Sequence, residues 1–260
     1  MGQLTDRVAV ITGSGDGIGK GIAQAFVEEG ARVVIAEIDS DAGQKTAAEL
    51  GNAALFVATD VRDRAQNEAA IQTAIDAWGT IDVLVNNAWG GGKIGRSEHK
   101  SQDLLEHGLG VGFYGPVWAM QYAYPTMKAK GFGRIINVCS LNGVNAHMGT
   151  LEYNTAKEAL RSATRTMARE WASTGIVANV ICPAAKSAAF RQIAEHRPEM
   201  LAHADASNPM GRIGDCKDDI APVAVFLASD GCRYMTGNTL FVDGGGHING
   251  SSWAPDLGPE

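Results

Sequence analysis

A strand-like run that leads directly into a glycine-rich turn and a helix dominates the start of this chain. Residues 7–12 read Arg-Val-Ala-Val-Ile-Thr, an apolar run typical of a buried parallel strand. The turn Gly13-Ser-Gly-Asp-Gly-Ile-Gly19 follows, and apolar residues then recur at helical spacing as far as Gly30. Glycines let a backbone approach a pyrophosphate, and a helix N-terminus offers free N–H groups. The segment therefore predicts a dinucleotide-binding unit.

A second strand-like run ends in an acidic side chain that suits such a ligand. Residues 31–36 read Ala-Arg-Val-Val-Ile-Ala, and Glu37 follows them. A carboxylate about 20 residues beyond the glycine turn is where a ribose diol is held in dinucleotide-binding folds. Glu37 can accept two hydrogen bonds from ribose hydroxyls but would repel a 2′-phosphate, which favours NAD(H) over NADP(H). The alternative is a solvated carboxylate that merely ends a strand.

Strand-like and helix-like patterns alternate along the remainder of the chain. The strand-like runs lie at 7–12, 32–36, 54–58, 81–85, 133–139, 176–181 and 239–242. The helical patterns lie near 17–29, 41–50, 63–78, 101–129, 152–174 and 218–228. This alternation predicts an α/β fold, a Rossmann-type doubly wound parallel sheet of about seven strands with helices on both faces. No linker or charged run divides residues 1–260, so we expect a single domain.

Polar side chains stand where several of the predicted strands end. Thr12, Glu37, Asp60, Asn86 and Ser140 each close a strand-like run. The carboxyl ends of parallel strands share one edge of the sheet, and ligands of such sheets bind beyond that edge. We therefore expect these residues to border one binding site.

A tyrosine and a lysine lie one helical turn apart in the predicted helix 152–174. Tyr153 and Lys157 project from the same helix face. If that face meets a cofactor cleft, the ammonium lowers the pKa of the phenol and makes it a usable general acid or base near neutral pH. Ser140 could then hold a substrate oxygen beside the phenol. The pair alone is weak evidence, because any short motif also arises by chance, here as an exposed pair on a helix.

Composition excludes several classes of function. The chain has 260 residues, 45% of them hydrophobic and 20% charged, and a formal net charge of −7. Without a basic run, it lacks the signature of a protein that binds nucleic acid or an anionic membrane. Its four cysteines have no redox or metal-ligand spacing, so we expect reduced, buried thiols and no metal site. With neither a signal sequence nor a long apolar run, a cytoplasmic location is expected.

Two segments interrupt the alternation of strands and helices. Residues 184–215 are long, rich in alanine, histidine and proline, and only partly helical, over 190–201. A long excursion directly after a strand predicts a substrate lid. The segment 247–260 is a C-terminal tail rich in glycine, serine and proline. A cluster of glycines in the helical pattern 101–129 predicts a kink or a close helix–helix approach.

Taken together, these motifs resemble the short-chain dehydrogenase/reductase family over residues 7–246. The resemblance rests on the glycine turn, on Asp60-Val61, on Asn86-Asn87-Ala88, on Ser140 with Tyr153 and Lys157, and on the closing Val242-Asp-Gly-Gly245. It implies a cofactor site formed by Gly13, Asp16, Gly17, Ile18, Gly19, Glu37, Asp60, Val61, Asn87, Ala88, Tyr153, Lys157, Pro183 and Ser187. It also implies a substrate pocket, which we expect to be lined by Trp89, Leu141, Asn142, His147 and Met148.

The resemblance also implies an activity, namely hydride transfer between nicotinamide C4 and a secondary alcohol or ketone. Tyr153 would act as general acid and base, Lys157 would lower its pKa and bind the nicotinamide ribose, and Ser140 would orient the substrate oxygen. The aromatic and thioether side chains of the expected pocket favour an apolar or cyclic substrate. Asp16 stands where members that prefer NADP(H) often carry arginine, which again favours NAD(H). A homotetramer is implied, with helices 101–129 and 152–174 at an interface.

Four positions depart from the family pattern at the nicotinamide end. Two of them stand where the family has glycine, namely Trp89 and Ala184. A third, Ala188, stands where the family has threonine. Gly112 falls where the family has a catalytic asparagine, which is thought to hold a helix kink and a water that joins the lysine to solvent.

These departures leave two other interpretations open. One is a catalytically silent NAD-binding regulator or scaffold. The other is a reductase of 3-oxoacyl thioesters, which needs a basic patch at the pocket mouth that only Lys93, Arg96 and Lys100 offer.

Overall fold

The computed structural model of the protein describes residues 2–188, 190–191 and 198–248. Seven parallel strands form one sheet in the order β3-β2-β1-β4-β5-β6-β7. In chain order the strands are β1 (Val8–Thr12), β2 (Arg32–Glu37), β3 (Ala54–Ala58), β4 (Val83–Asn86), β5 (Gly133–Val138), β6 (Ile176–Pro183) and β7 (Thr239–Val242). The predicted parallel, doubly wound sheet is confirmed, and each predicted strand lies within three residues of its expected bounds.

Helices connect the strands and cover both faces of the sheet. They are α1 (Gly17–Glu28), α2 (Ser40–Leu50), α3 (Arg64–Trp78), α4 (Gln102–Leu109), α5 (Gly115–Lys130), α6 (Leu141–Val144), α7 (Leu151–Trp171), α8 (Pro198–Ser207) and α9 (Ala221–Ala228). Aspartates begin the first three of them: Asp16, Asp39 and Asp63 each accept hydrogen bonds from backbone N–H groups of the first turn. Within the described ranges, no helix combines the length and apolarity that crossing a bilayer would need.

Alternate residues of β1 enter two separate cores. Ala9 and Ile11 pack with α1 and α9 on one face of the sheet. Val8 and Val10 pack with α3, α5 and α7 on the other face. Because both faces are covered, the strand is buried at every position, and this explains the uninterrupted apolar run at 8–11.

The helical pattern predicted over 101–129 is broken by a π-helical turn. The turn spans Gly110–Tyr114 and joins α4 to α5. Glycines bring this region close to α7, since a Cβ at Gly108 would lie 3.0 Å from Cβ of Glu152. The kink and the close helix–helix approach predicted from the glycine cluster are both present.

The segment predicted as a lid begins directly after β6. Its base is tied down by a parallel bridge between Ala185 and Gly214, where the Lys186 N–H donates to the Gly214 carbonyl at 2.9 Å. Helix α8 lies within it, while residues 189 and 192–197 lie outside the described ranges, as does 249–260 of the predicted tail. All four cysteines fall within those ranges and are buried and free, as predicted.

Candidate active site

The glycine turn is shaped by its contact with the end of β4. Gly13 has a φ of +63°, and a Cβ there would lie only 2.7 Å from Cα of Ala88. The Asn87 side chain donates to the carbonyls of Thr12 and Gly13 at 3.0 and 2.8 Å. Asn87 therefore holds the glycine turn in place by these hydrogen bonds. Contact with Ala88 limits how closely the turn and the loop after β4 approach each other.

The first helix begins where the segment after β6 meets the glycine turn. The Asp16 carboxylate accepts a hydrogen bond from the Gly17 N–H at 2.6 Å. A Cβ at Gly17 would lie 3.0 Å from the Ala188 nitrogen, and Ser187 is beside it, so this segment passes over the N-terminus of α1. Nη2 of Arg191 lies 2.5 and 2.6 Å from the two carboxylate oxygens of Asp16. This partner was not predicted, because nothing in the sequence of the segment indicates it.

Glu37 at the end of β2 lies against the same turn. Its carboxylate accepts hydrogen bonds from the N–H groups of Gly15 and Ile38, each at 2.9 Å. The Asp16 carboxylate on the same turn pairs with the Arg191 guanidinium. The glycine cradle, the free helix N-terminus and the strand-end carboxylate together fit a dinucleotide.

Asp60 at the end of β3 is linked to the loop after β4. Arg62 donates to both oxygens of Asp60, and its guanidinium holds the pKa of that carboxyl below the usual value. Nη1 of Arg62 also lies 3.1 Å from Nδ1 of His107, which must accept this hydrogen bond. Nε2 of His107 therefore carries the proton and donates to the Gly90 carbonyl at 2.8 Å. Val61 is buried beside this network.

Ser140, Tyr153 and Lys157 come together at the carboxyl edge of the sheet. Ser140 follows β5 and caps α6, where its Oγ accepts from the Asn142 N–H at 3.1 Å. The Ser140 hydroxyl also hydrogen bonds with the Tyr153 phenol. Lys157 is 2% exposed, and its Nζ lies 5.8 Å from the centroid of the Tyr153 ring and donates to the Val138 carbonyl at 2.7 Å.

The pKa of Tyr153 differs from the expectation drawn from the sequence. Burial raises the pKa of the phenol to about 12, although the hydrogen bond with Ser140 acts in the opposite direction. Burial likewise lowers the pKa of Lys157. For the chain by itself, burial therefore dominates the pKa of Tyr153. That Lys157 lowers this pKa when the cofactor is bound stays a prediction.

The residues expected to line a substrate pocket differ in exposure. Leu141 and Asn142 are half-buried beside Ser140. His147 and Met148 lie on the exposed loop before α7, and Met148 is 96% exposed. Trp89 is half-buried and meets the Tyr153 ring edge-to-face, with 4.5 Å between the ring centroids.

A buried ion pair stands beside Tyr153 and was not predicted. Nζ of Lys100 lies 2.6 Å from Oε2 of Glu152, and the two side chains are 3% and 1% exposed. Oε1 of Glu152 accepts from the Lys93 N–H at 2.9 Å. Together these contacts fix the loop after β4 to the first turn of α7. Lys100 had been counted among basic residues at the pocket mouth, and its burial removes it from that surface.

A dinucleotide cradle beside a Ser-Tyr-Lys cluster, on a doubly wound sheet, defines an oxidoreductase that uses a nicotinamide cofactor. A family model described as enoyl-(acyl carrier protein) reductase matches residues 13–247. The chain is 34% identical to a 12alpha-hydroxysteroid dehydrogenase from Clostridium sp., over 94% of this chain and 98% of that protein. The chain belongs to the short-chain dehydrogenase/reductase family.

Solved structures support the same assignment. A 3-ketoacyl-(acyl-carrier-protein) reductase from Brucella melitensis, complexed with NADH, is 32% identical with a TM-score of 0.87, covering 94% of this chain and all of that one. Levodione reductase is 27% identical with a TM-score of 0.89, covering 95% and 99% of the two chains.

Proposed function

We propose that this protein transfers a hydride between NAD(H) and a secondary alcohol or ketone on an apolar, cyclic substrate. The observation that carries the proposal is that Ser140, Tyr153 and the buried ammonium of Lys157 come together at the carboxyl edge of the sheet, with Nζ of Lys157 5.8 Å from the centroid of the Tyr153 ring. A hydroxyl, a phenol and an ammonium are the groups needed to hold a substrate oxygen and move its proton. The nicotinamide, when bound, supplies the two-electron exchange and, in its oxidised form, a positive charge.

Individual residues of the chain have separate roles in the proposed reaction. Ser140 holds the substrate oxygen and stabilises negative charge that develops on it. Tyr153 takes the hydroxyl proton during oxidation and returns it during reduction. Lys157 favours the phenolate by its charge and bonds the nicotinamide ribose. Gly13, Gly17 and the N-terminus of α1 receive the pyrophosphate.

Two observations support NAD(H) as the cofactor. Glu37 stands against the glycine turn with its carboxylate held by backbone N–H groups, where a 2′-phosphate would meet its negative charge. Arg191 is already paired with Asp16, so its charge is neutralised locally. A thermal-shift comparison tests this choice, and we expect NADH to raise the melting temperature more than NADPH at equal concentration. A larger shift with NADPH would contradict the assignment.

An apolar, cyclic substrate is supported by the pocket residues and by relatives. Trp89 contacts the Tyr153 ring, and Leu141 is half-buried beside Ser140, so both catalytic candidates have an apolar neighbour. The name of one relative denotes a hydroxyl on a steroid ring, and another relative is named for the reduction of levodione. A panel of cyclic and acyclic secondary alcohols, assayed with NAD⁺ for formation of reduced nicotinamide, tests the proposal. Turnover of acyclic but not cyclic alcohols would contradict the cyclic class.

Reduction of a 3-oxoacyl thioester is a second candidate, favoured by the Brucella relative and the family model. The structure weakens the basic patch that this substrate requires. Lys100 is buried against Glu152, and Arg96 pairs with Glu98. Lys93 alone of the three is left without a carboxylate partner among the described residues. Faster reduction of acetoacetyl thioesters than of cyclic ketones would favour this candidate.

We further propose that the protein is a cytoplasmic homotetramer. The family resemblance supports a tetramer assembled through the helices that follow β4 and β5. The exposed ring of Tyr114 stacks on the half-buried ring of Trp118 and marks one such helix surface.

A further inference from the structure

The side chain of Trp89 turns inward from a largely exposed loop. Residues 90–99 are exposed, whereas Trp89 at their start is half-buried. Its ring meets the Tyr153 ring at an interplanar angle of 69°, the edge-to-face arrangement that aromatic pairs favour. This contact lies at the tyrosine itself, so a change in Trp89 acts directly on the orientation of the phenol.

The space for this indole exists because position 112 is glycine. A Cβ at Gly112 would lie 3.0 Å from Cζ3 of Trp89 and 2.8 Å from Cβ of Ala156. Both distances are too short for an ordinary carbon contact, so a larger side chain at 112 and the observed indole exclude each other. The kink in this helix persists without a side chain, because the π-helical turn Gly110–Tyr114 contains Gly112.

The same indole lies next to the buried ammonium. Nζ of Lys157 is 5.6 Å from the centroid of the Trp89 ring, within the range of a cation–π interaction. Lys157 is otherwise held by the carbonyl of Val138, a neutral partner. The π face of Trp89 therefore offsets part of the desolvation of this charge.

We propose that Trp89 is a positioning residue for Tyr153 and Lys157, and that Gly112 is the small partner that admits its ring. This inference rests on the proposed function, in which the two residues act as the acid/base unit. The indole fixes the phenol by its edge contact and stabilises the ammonium by its face, so the phenolate forms more readily. Two departures from the family pattern, at positions 89 and 112, thus form one packing unit.

The buried thiols and the Glu152 carboxylate near the pair each keep one charge state over the pH range of an assay. Burial raises the pKa of the Cys139 and Cys182 thiols to about 12 each. Glu152, the residue before Tyr153, is paired with Lys100. A change in the pH profile on altering Trp89 would therefore report on Tyr153 and Lys157.

The test compares Trp89→Leu with Trp89→Phe in the full-length enzyme, using pH profiles of kcat and of kcat/KM for alcohol oxidation. In the pH profile for oxidation, we expect the midpoint of the rising limb to lie about one pH unit higher in Trp89→Leu than in the wild type. Loss of a desolvated cation–π contact implies a shift of this size. We expect kcat to fall more than the KM for NAD⁺ rises. Trp89→Phe keeps a π face and an edge, and its limb should stay close to that of the wild type.

The outcomes separate this inference from the proposed function. An active wild type whose limb does not move in Trp89→Leu would overturn the inference alone. A wild type that turns over no alcohol or ketone would overturn the proposed function and the inference with it. Denaturant unfolding provides a readout of packing that is independent of turnover. Gly112→Ala should lower the unfolding midpoint, and Trp89→Leu should reduce that loss; equal losses in both backgrounds would contradict the shared space.

Discussion

At the residue scale, Tyr153 controls the response of the proposed reaction to pH. Its pKa of about 12 in the chain by itself must fall by about five units to provide a base near pH 7, which corresponds to about 7 kcal/mol. Lys157 and the positive charge of the oxidised cofactor are the sources available. Because oxidation uses the phenolate and reduction uses the phenol, kcat/KM should rise with pH for oxidation and fall with pH for reduction. Profiles measured in both directions check this, and parallel slopes would contradict it.

A second prediction at this scale concerns Gly13. Alanine at Gly13 faces a positive φ and a contact of 2.7 Å with Ala88, whereas alanine at Gly131 faces a left-handed φ of +66° with open space around it. The left-handed backbone costs an alanine about 1–2 kcal/mol. Crowding adds about 1–3 kcal/mol at Gly13 alone. Urea unfolding of Gly13→Ala and Gly131→Ala measures the difference, and equal losses of stability would show that the turn relaxes around the added methyl group.

The sequence identifies some site residues and not others, for a physical reason. Ser140 and Glu37 were predictable because the ends of parallel strands share one edge of the sheet. The relation between Trp89 and Gly112 was not, because it depends on how a loop and two helices pack. The rise in the pKa of Tyr153 that burial causes was not predicted, since the spacing of Tyr153 and Lys157 reports their proximity but not their burial.

At the scale of elements, the ion pair between Glu152 and Lys100 holds α7 to the loop after β4. Removing one partner of a buried pair leaves an uncompensated charge and costs about 3–5 kcal/mol. We therefore expect Glu152→Gln to lower the free energy of unfolding by about that amount in urea. Glu158→Gln is the matched control, since Glu158 pairs with Arg161 on the same helix at the surface and should cost about 1 kcal/mol or less. Similar losses in the two variants would contradict the structural role of the buried pair.

The strands and helices could be predicted from the sequence, whereas the π-helical turn Gly110–Tyr114 could be located only approximately. The strands were recognisable because burial on both faces demands continuous apolar runs. The helical pattern over 101–129 runs through a π-helical turn, and the apolar positions after Gly110–Tyr114 face the core. Only the cluster of glycines signalled the break, and a glycine does not distinguish a kink from a close approach.

At the scale of the whole molecule, the proposed tetramer makes a direct prediction. Sedimentation equilibrium should give a mass four times that of one chain. The stacked rings of Tyr114 and Trp118 lie on α5 and the turn before it, and an interface there would bury them. A monomer over the micromolar range would reject both the assembly and this surface.

The central claim is that Tyr153 is the acid/base group of a nicotinamide-dependent alcohol or ketone oxidoreductase. The most direct test is kcat/KM for oxidation of a cyclic secondary alcohol by the wild type, by Tyr153→Phe and by Tyr122→Phe, whose hydroxyl bonds Gln72 away from the site. We expect a fall of at least about 100-fold in Tyr153→Phe, the usual contribution of a general base. Tyr122→Phe should stay within about twofold of the wild type. Wild-type turnover that survives in Tyr153→Phe, or NADH binding without turnover of any alcohol or ketone, would contradict the account.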